Sequence, residues 1–280
     1  MAKLLIIDGS NLLFQMFYGM PARIVNSQGR AIQGTLGFIG ALLKMTRSVN
    51  PTHVLAVFDG ECENTRREID SDYKANRPDY SETPEEELPF SQLPDIYAAL
   101  DHMGIRRFET TVCESDDIIA AYAKRCNEDC EIVIASWDSD FFQLVNERVS
   151  VLRYKGTSSV MCTPEYIKEK LGVSPSLYAD FKSLVGDSAD NVRGVAKIGP
   201  KTASALISEF GSLADIMARV EEIKKPSVRE SVKNSLQRLC KNYSLIRLDG
   251  RSELPFELSQ LEVELDGYNT TEVLRAVGIR

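Results

Sequence analysis

Three short apolar runs end on carboxylates, and that coincidence constrains the fold more than any other feature of the chain. Lys3–Ile7 (KLLII) runs into Asp8, and His53–Phe58 (HVLAVF) runs into Asp59. Glu131–Ala135 (EIVIA) is followed by Ser136, Trp137 and then Asp138 and Asp140. Short runs of this kind, partly β-branched, read as buried strands. Between the first two, Thr35–Arg47 carries Leu36, Ile39, Leu42 and Leu43 close to the 3.6-residue helical period. Ser115–Arg125 reads as another helix ahead of the third strand. Strands alternating with helices imply an α/β fold with a mostly parallel central sheet flanked by helices. Ligands of such sheets gather beyond the carboxyl ends of the strands, where these runs put their acids.

The character changes from Tyr73 to Pro94. Four prolines (Pro78, Pro84, Pro89, Pro94) and the acidic run Glu85–Glu87 interrupt any regular element there. A long insertion inside a compact domain is functional or disordered, and the basic residues Lys74 and Arg77 at its opening favour function. After Pro164 the pattern is helical, with Glu165–Leu171, Ser176–Val185, Pro200–Glu209 and Arg229–Ile246 as candidates. The expected organisation is an α/β domain over 1–164 and a smaller helical domain over 165–280. A chain of 280 residues, 43% hydrophobic and 26% charged, can bury such a core without staples.

Several function classes drop out. No run approaches about 18 apolar residues, and no basic-then-apolar leader follows Met1, so a cytoplasmic protein without membrane contact is expected. The cysteines Cys62, Cys113, Cys126, Cys130, Cys162 and Cys240 lack zinc-type spacing and read as thiols of a reducing compartment. Only His53 and His102 are available as imidazoles, and neither belongs to a Ser–His or Cys–His constellation.

Nine acids from five segments remain: Asp8, Asp59, Glu114, Asp116, Asp117, Asp138, Asp140, Asp187 and Asp190. Singly, each has a bland explanation as a helix cap or strand-end residue. Capping accounts for one acid of Glu114-Ser-Asp-Asp117 and the helix dipole for a second, but not for three. If the acids share one edge, mutual repulsion raises their pKa values unless cations neutralise them. Mg²⁺ or Mn²⁺ is the natural counterion, and two such ions suit in-line displacement at phosphorus. Some of the nine are expected to act through metal-held water. The net charge of −8 argues at first against a nucleic-acid partner, but committing acids to cations leaves room for a basic track.

Gly194-Val-Ala-Lys-Ile-Gly199-Pro-Lys201-Thr202 has the outline of a phosphate-binding loop, yet Pro200 stands between glycine and lysine, which excludes nucleotide hydrolysis on that motif. It reads better as a tight turn into a helix starting near Pro200, whose free N–H groups suit a phosphate. Arg193, Lys197 and Lys201 make that turn positive, and Lys224, Lys225, Arg229, Lys233, Arg238 and Lys241 follow as a basic stretch. A solvated helix face is the ordinary meaning of such a stretch, and a track for duplex backbone is the other.

The sequence closely resembles the flap endonuclease family, in particular the 5′-nuclease domain of bacterial DNA polymerase I and its free-standing relatives. The residues that carry the resemblance are Ile7-Asp-Gly-Ser-Asn11, Val57-Phe-Asp59, Asp72-Tyr-Lys-Ala-Asn-Arg-Pro78, Glu114-Ser-Asp-Asp117, Asp138-Ser-Asp140, Gly186-Asp-Ser-Ala-Asp-Asn191 and Gly194…Ile198-Gly-Pro-Lys-Thr-Ala203. It implies a PIN-like core, a helical arch at about 73–94 and a helix-hairpin-helix type motif in the C-terminal domain. It implies a structure-specific 5′-nuclease that cuts DNA at 5′ flaps or single-stranded 5′ ends, in a stand-alone form; a monomer is the default expectation. All nine acids fall on the family's metal positions, with Asp8, Asp59, Glu114 and Asp116 around one ion and Asp117, Asp138, Asp140, Asp187 and Asp190 around the other. Asp116 and Asp138 are the acids expected to matter most for catalysis. Lys74 and Arg77 are implied to touch the scissile phosphate, with Tyr73 either stacking on the 5′ end or packing under the arch. Arg193, Lys197, Gly199, Lys201 and Thr202 are implied to grip duplex DNA, with a K⁺ at Gly194–Gly199. Departures from the family pattern are Gln15 for an arginine, Tyr18 for a histidine, Ser139 for a lysine, Lys197 for a glycine, and extra residues around Asp79–Thr83. Gln15 and Ser139 motivate an alternative, a DNA-junction binding protein whose catalysis is vestigial.

Overall fold

The computed structural model describes residues 2–60 and 65–279, so Cys62 lies outside the described residues. Six strands form one sheet in the order β3-β2-β1-β4-β5-β6: β1 (Ala2–Asp8), β2 (His53–Phe58), β3 (Arg106–Glu109), β4 (Cys130–Ala135), β5 (Val149–Arg153) and β6 (Val160–Cys162). Every pairing is parallel except β5 with β6. The register explains why the acids meet. Asp8 lies opposite Val57 and Ile7 opposite Ala135, so Asp59 and Asp138 leave the sheet on the same edge as Asp8.

Alternation sorts the central strands between two cores, as a sheet covered on both faces requires. Leu5, Ile7, Val54, Ala56, Phe58 and Val133 face α1 (Gly9–Gly19), α2 (Gln33–Val49), and, beyond the short α3 (Thr65–Ile69), α4 (Leu93–His102). Leu4, Ile6, Leu55, Val57, Ile132 and Ile134 face α5 (Ser115–Arg125). The second core continues without a break into the helices that follow: α6 (Pro164–Leu171), α7 (Tyr178–Val185), α8 (Pro200–Phe210), α9 (Leu213–Ala218), α10 (Pro226–Lys233) and α11 (Leu236–Ile246). The chain then returns to the first layer, where Val263 N–H donates to the Thr52 carbonyl at 3.1 Å and α12 (Thr270–Ala276) packs on α2 and α4.

Helix α5 spans the expected residues, and α2 extends the expected helix to Gln33–Val49, stopping at Asn50 in the left-handed region. The expected Arg229–Ile246 helix is two helices. Its break at Asn234–Ser235 lets Val228 and Val232 on one side and Leu239 and Leu245 on the other reach the core. The insertion expected to form a helical arch contains no α-helix between Asp70 and Gln92. It is a series of turns with two 3-10 turns, Glu85–Glu87 and Pro89–Gln92, as its prolines dictate. Strand β3 escaped sequence reading because its residues, RRFE, are charged. It is one of the sheet's two outer strands, where basic residues discourage further pairing.

Between α7 and α8 a two-stranded ribbon, β7 (Gly186–Asp187) and β8 (Val192–Arg193), carries the last two acids and leads into the turn at 194–199. The crossing is close: a Cβ on Gly194 would lie 2.1 Å from the Val185 carbonyl oxygen, so only glycine fits. Val195 and Ile198 bury their side chains, which roots the turn, and Asn242 Nδ2 donates to the Arg193 and Ser183 carbonyls at 2.9 and 3.0 Å.

Candidate metal centre and its cationic frame

The acids converge. Asp8 ends β1, caps α1 by accepting from Asn11 N–H at 3.1 Å, and accepts from Ser136 Oγ at 2.7 Å. Burial, with the fields of Asp59 and Asp138, pushes its pKa up to about 7. Asp116 is driven well above the usual carboxylate range by burial and by Asp138 and Asp8. Burial raises Asp138 too, with Asp190 and Asp187 adding repulsion. Asp140 rises to about 7 through burial and its neighbours Asp138, Asp187 and Asp190. Each acid thus feels the next, from Asp59 at one end to Asp190 at the other.

The tightest group is Asp140, Asp187 and Asp190, whose carboxylate oxygens lie within 4.8 Å of one another. Three carboxylates that close, with their neighbours raised by mutual repulsion, fit a hard divalent cation. Asp8, Asp116 and Asp138 lie close enough for Asp116 to feel the charge of the other two. Asp59 helps to cap α5 instead of the adjacent Glu114: its Oδ1 accepts from Ser115 N–H at 2.9 Å.

Glu114 and Asp117 face different partners. Arg66, buried in α3, forks onto Asp117 at 2.7 and 3.0 Å, reaches Glu114 at 2.6 Å and donates to the Leu245 carbonyl at 3.0 Å. Lys74, in the left-handed region at φ 55°, places Nζ 2.5 Å from the other Glu114 oxygen. Burial alone would raise Glu114, but Lys74 and Arg66 outweigh it and hold its carboxyl below the ordinary range. Asp117, expected with Asp138 and Asp140, is therefore paired with a guanidinium. Arg77 reaches Asp190 at 3.3 Å from the surface.

Tyr73 is buried, and its hydroxyl donates to Glu114 and Asp190 at 3.3 and 3.2 Å. The ring packs against Ala179, Val192, Leu245 and Ile246.

Sequence reading missed two of the cations. Lys182 of α7 lies 3.2 Å from Asp140 and 2.7 Å from Asp187, and also 3.2 Å from Ser139 Oγ, so it supplies positive charge beside the position where the family pattern has lysine. Nothing local singles out Arg66 from Arg67, and Lys182 is marked only by standing a short way before Asp187. The buried Ser136, which bridges Asp8 and the Asp138 N–H, was missed as well.

The basic residues of the hairpin, Arg193, Lys197 and Lys201, are exposed, and Thr202 N–H closes the first turn of α8 on the Gly199 carbonyl at 3.0 Å. Lys197 takes φ 65°, a conformation that favours glycine. The downstream basic stretch is less available than its sequence suggests. Lys224, Lys233 and Lys241 pair with Glu209, Glu221 and Asp70 at 3.1, 2.5 and 2.6 Å.

Residues 3–172 match the profile described as 5′-3′ exonuclease, N-terminal resolvase-like domain, and residues 173–268 match that of the 5′-3′ exonuclease C-terminal SAM fold. The chain belongs to the 5′-3′ exonuclease family. Among its relatives, the thermostable DNA polymerase I of Thermus thermophilus is 36% identical over 257 residues, 91% of this chain. The chain matches only 30% of that polymerase's length. The bacteriophage T5 flap endonuclease, in a pseudo-enzyme-product complex with DNA and metal ions, superposes with a TM-score of 0.75 at 21% identity, covering 98% of this chain and 99% of that one. The catalytic core of Rad2 in complex with DNA substrate gives 0.61 at 18% identity, covering 99% and 93%. These superpositions establish the fold of this exonuclease-family chain: a resolvase-like α/β domain followed by a helical domain. No helix among the described residues is long and apolar enough to cross a membrane.

The raised acids make stability depend on metal and pH together. A carboxyl whose folded pKa exceeds its unfolded value stabilises the fold below the unfolded pKa, and that contribution is lost as pH rises through the folded pKa. For Asp8 and Asp140 the window runs from the ordinary carboxylate range up through about 7. Saturating Mg²⁺ or Mn²⁺ is therefore expected to raise Tm by roughly 5 °C at pH 8 and by much less at pH 5.5, where protons already neutralise the cluster. Calorimetric scans at the two pH values check this, and equal shifts would refute it.

Proposed function

We propose that this chain is a structure-specific 5′-nuclease that hydrolyses DNA phosphodiesters at 5′ flaps and single-stranded 5′ ends. The observation that carries the reading is the convergence of buried, mutually repelling carboxylates on one sheet edge, with Asp140, Asp187 and Asp190 within 4.8 Å of one another.

In this reading Asp140, Asp187 and Asp190 hold one ion, Asp8, Asp116 and Asp138 help hold a second, and Asp59, Glu114 and Asp117 act around them. Bound there, two divalent cations such as Mg²⁺ or Mn²⁺ would acidify water and stabilise the leaving oxygen for in-line displacement at phosphorus. The chain's own residues orient the reaction. Ser136 fixes Asp8 and the turn at Asp138 through its hydroxyl, and Lys182 spans Asp140 and Asp187. Lys74 and Arg77 bring cations to the Glu114–Asp190 side, where a substrate phosphate would be met. Arg193, Lys197, Lys201 and the N–H groups at Gly199–Thr202 grip duplex backbone away from the cut, which sets position without reading sequence. The same reading includes a K⁺ at residues 194–199, a monomer, and a cytoplasmic location.

The test is a 5′-flap duplex labelled at both ends. Cleavage with Mg²⁺, none in chelator, products ending in 5′-phosphate and 3′-hydroxyl, and loss of turnover in the Asp116→Ala/Asp138→Ala double variant are expected. Salt-sensitive binding with no turnover in Mn²⁺ would replace this reading with that of a junction-binding protein, and preference for an RNA flap would move the substrate class.

A further inference from the structure

Trp137 is the chain's one tryptophan, and neither the acid cluster nor the core uses its ring. It stands past the carboxyl end of β4, one residue before Asp138, with 39% of its surface exposed. Exposure alone means little for a single apolar residue. This ring, however, is held. Its backbone N–H donates to Asn11 Oδ1 at 3.1 Å, and its indole Nε1–H donates to the Tyr154 carbonyl at 2.9 Å. Gln15 Nε2 donates to the same carbonyl at 2.7 Å, which ties the arrangement to α1. Arg153 donates to the Trp137 carbonyl at 3.2 Å and sets its guanidinium 5.7 Å from the ring centroid.

These contacts decide what the exposed part of the ring can recognise. The one polar atom of the indole is already satisfied, so the ring offers solvent a π surface and no donor. A phosphate or sugar hydroxyl finds nothing there, whereas a flat aromatic ring finds a surface whose orientation is already set. The neighbouring carboxylates exclude anions from the same spot unless metal is bound, and Arg153 supplies the nearest cation. A planar, uncharged heterocycle attached to a phosphate held at the acid edge matches all three conditions.

We propose that Trp137 is a nucleobase platform: it stacks the base of the nucleotide adjoining the phosphate that the acid edge holds. This rests on the nuclease reading above. A base stacked in duplex has both faces covered, so the platform takes an unpaired or frayed nucleotide and favours cutting where the strand is open. Stacking tolerates any base, and a purine covers more of the indole than a pyrimidine. Trp137 is thus a positioning residue that selects the state of the nucleotide at the cut rather than its identity.

The experiment uses the single indole as its own reporter. The full chain, with Ca²⁺ in place of Mg²⁺ so that the acid edge is neutralised while turnover is suppressed, is titrated with 5′-flap duplexes carrying an abasic site at each nucleotide around the junction in turn. Binding is read from the anisotropy of a distant dye, and indole emission is read in parallel. Emission is expected to be quenched on binding, and the quench to vanish when one particular nucleotide is abasic. With Mg²⁺, Trp137→Ala is expected to lose about tenfold in kcat/KM on the intact flap and nothing further on the flap abasic at that nucleotide, with Trp137→Phe restoring most of the loss. A merely structural tryptophan would cost the same on both substrates. Binding and cleavage with unchanged emission, or equal losses on both flaps, would overturn the platform alone. A parent protein that neither binds nor cuts the flap would overturn the nuclease reading and the platform together.

Discussion

An Asp138→Asn protein is expected to cut a 5′-flap duplex more than about a hundredfold more slowly than the parent, beyond what outer partners of metal ligands contribute, and yet to unfold at a higher temperature without divalent ions. Both effects have one cause. Asp138 Oδ1 accepts from the Asp140 N–H at 2.8 Å, a bond that an asparagine oxygen keeps, so the turn survives. What disappears is a negative charge raised by burial and by Asp190 and Asp187, and one that itself pushes Asp116 and Asp140 upward. Relieving that repulsion is worth about 1 kcal/mol or more, roughly 2–4 °C in a chain of this size. Adding Mg²⁺ should raise the parent's Tm more than the variant's. Single-turnover cleavage and paired thermal scans read both halves. A variant less stable than the parent in chelator, or one that cuts within tenfold of it, would show that Asp138 is not a strained member of a metal cage.

How much of this was legible in the sequence follows from the range of each interaction. Strands β1, β2 and β4, helix α5, and the acids that follow the strands are local signals: apolar period, β-branching, and a carboxylate where the run stops. The parallel register then aligns Asp8, Asp59 and Asp138, so convergence could be argued before any coordinates. The arrangement of counter-charges could not. Arg66 lies far from Glu114 and Asp117 in the chain, and Lys182 lies far from Asp140, so only the folded packing of α3 on α5 and of α7 beside the β4 turn reveals the pairs. The same limit explains the insertion. Its prolines announced irregular backbone, but the burial of Tyr73 and Lys74 depends on α11 and on the Asp190 turn, where Lys74 N–H donates to the Asp190 carbonyl at 3.0 Å.

The cations also divide the acids by role. Asp140 and Asp187 share Lys182, and Glu114 and Asp117 share Arg66, while Asp8 and Asp116 have no ion pair of comparable closeness among the described residues. The first four are framed by the protein, although Asp140 still rises to about 7, and Asp8 and Asp116 keep raised pKa values with no such frame; a bound divalent ion would relieve all three. Such a frame offsets part of the repulsion before metal binds, yet leaves uncompensated charge to attract it.

The frame makes Arg66 the residue whose loss should cost the most stability. Its guanidinium joins three elements, with α3 carrying it, Glu114 and Asp117 at α5 receiving it, and the Leu245 carbonyl of α11 taking Nε–H. Arg66→Ala leaves Asp117 facing a void without its cation and Glu114 with Lys74 alone, among the described residues, to balance it, a change that typically costs 3–5 kcal/mol, or about 10 °C here. Arg66→Lys keeps the charge but not the fork, so it should recover only part of the loss. The cause can be isolated by a double-mutant cycle, because the cost arises from stranded charge rather than lost volume. Adding Asp117→Asn to Arg66→Ala should therefore return several degrees of Tm, although Asp117→Asn alone destabilises the parent. If the double variant melts no higher than Arg66→Ala, the pair is packing ballast and the cationic frame does not explain how these acids coexist.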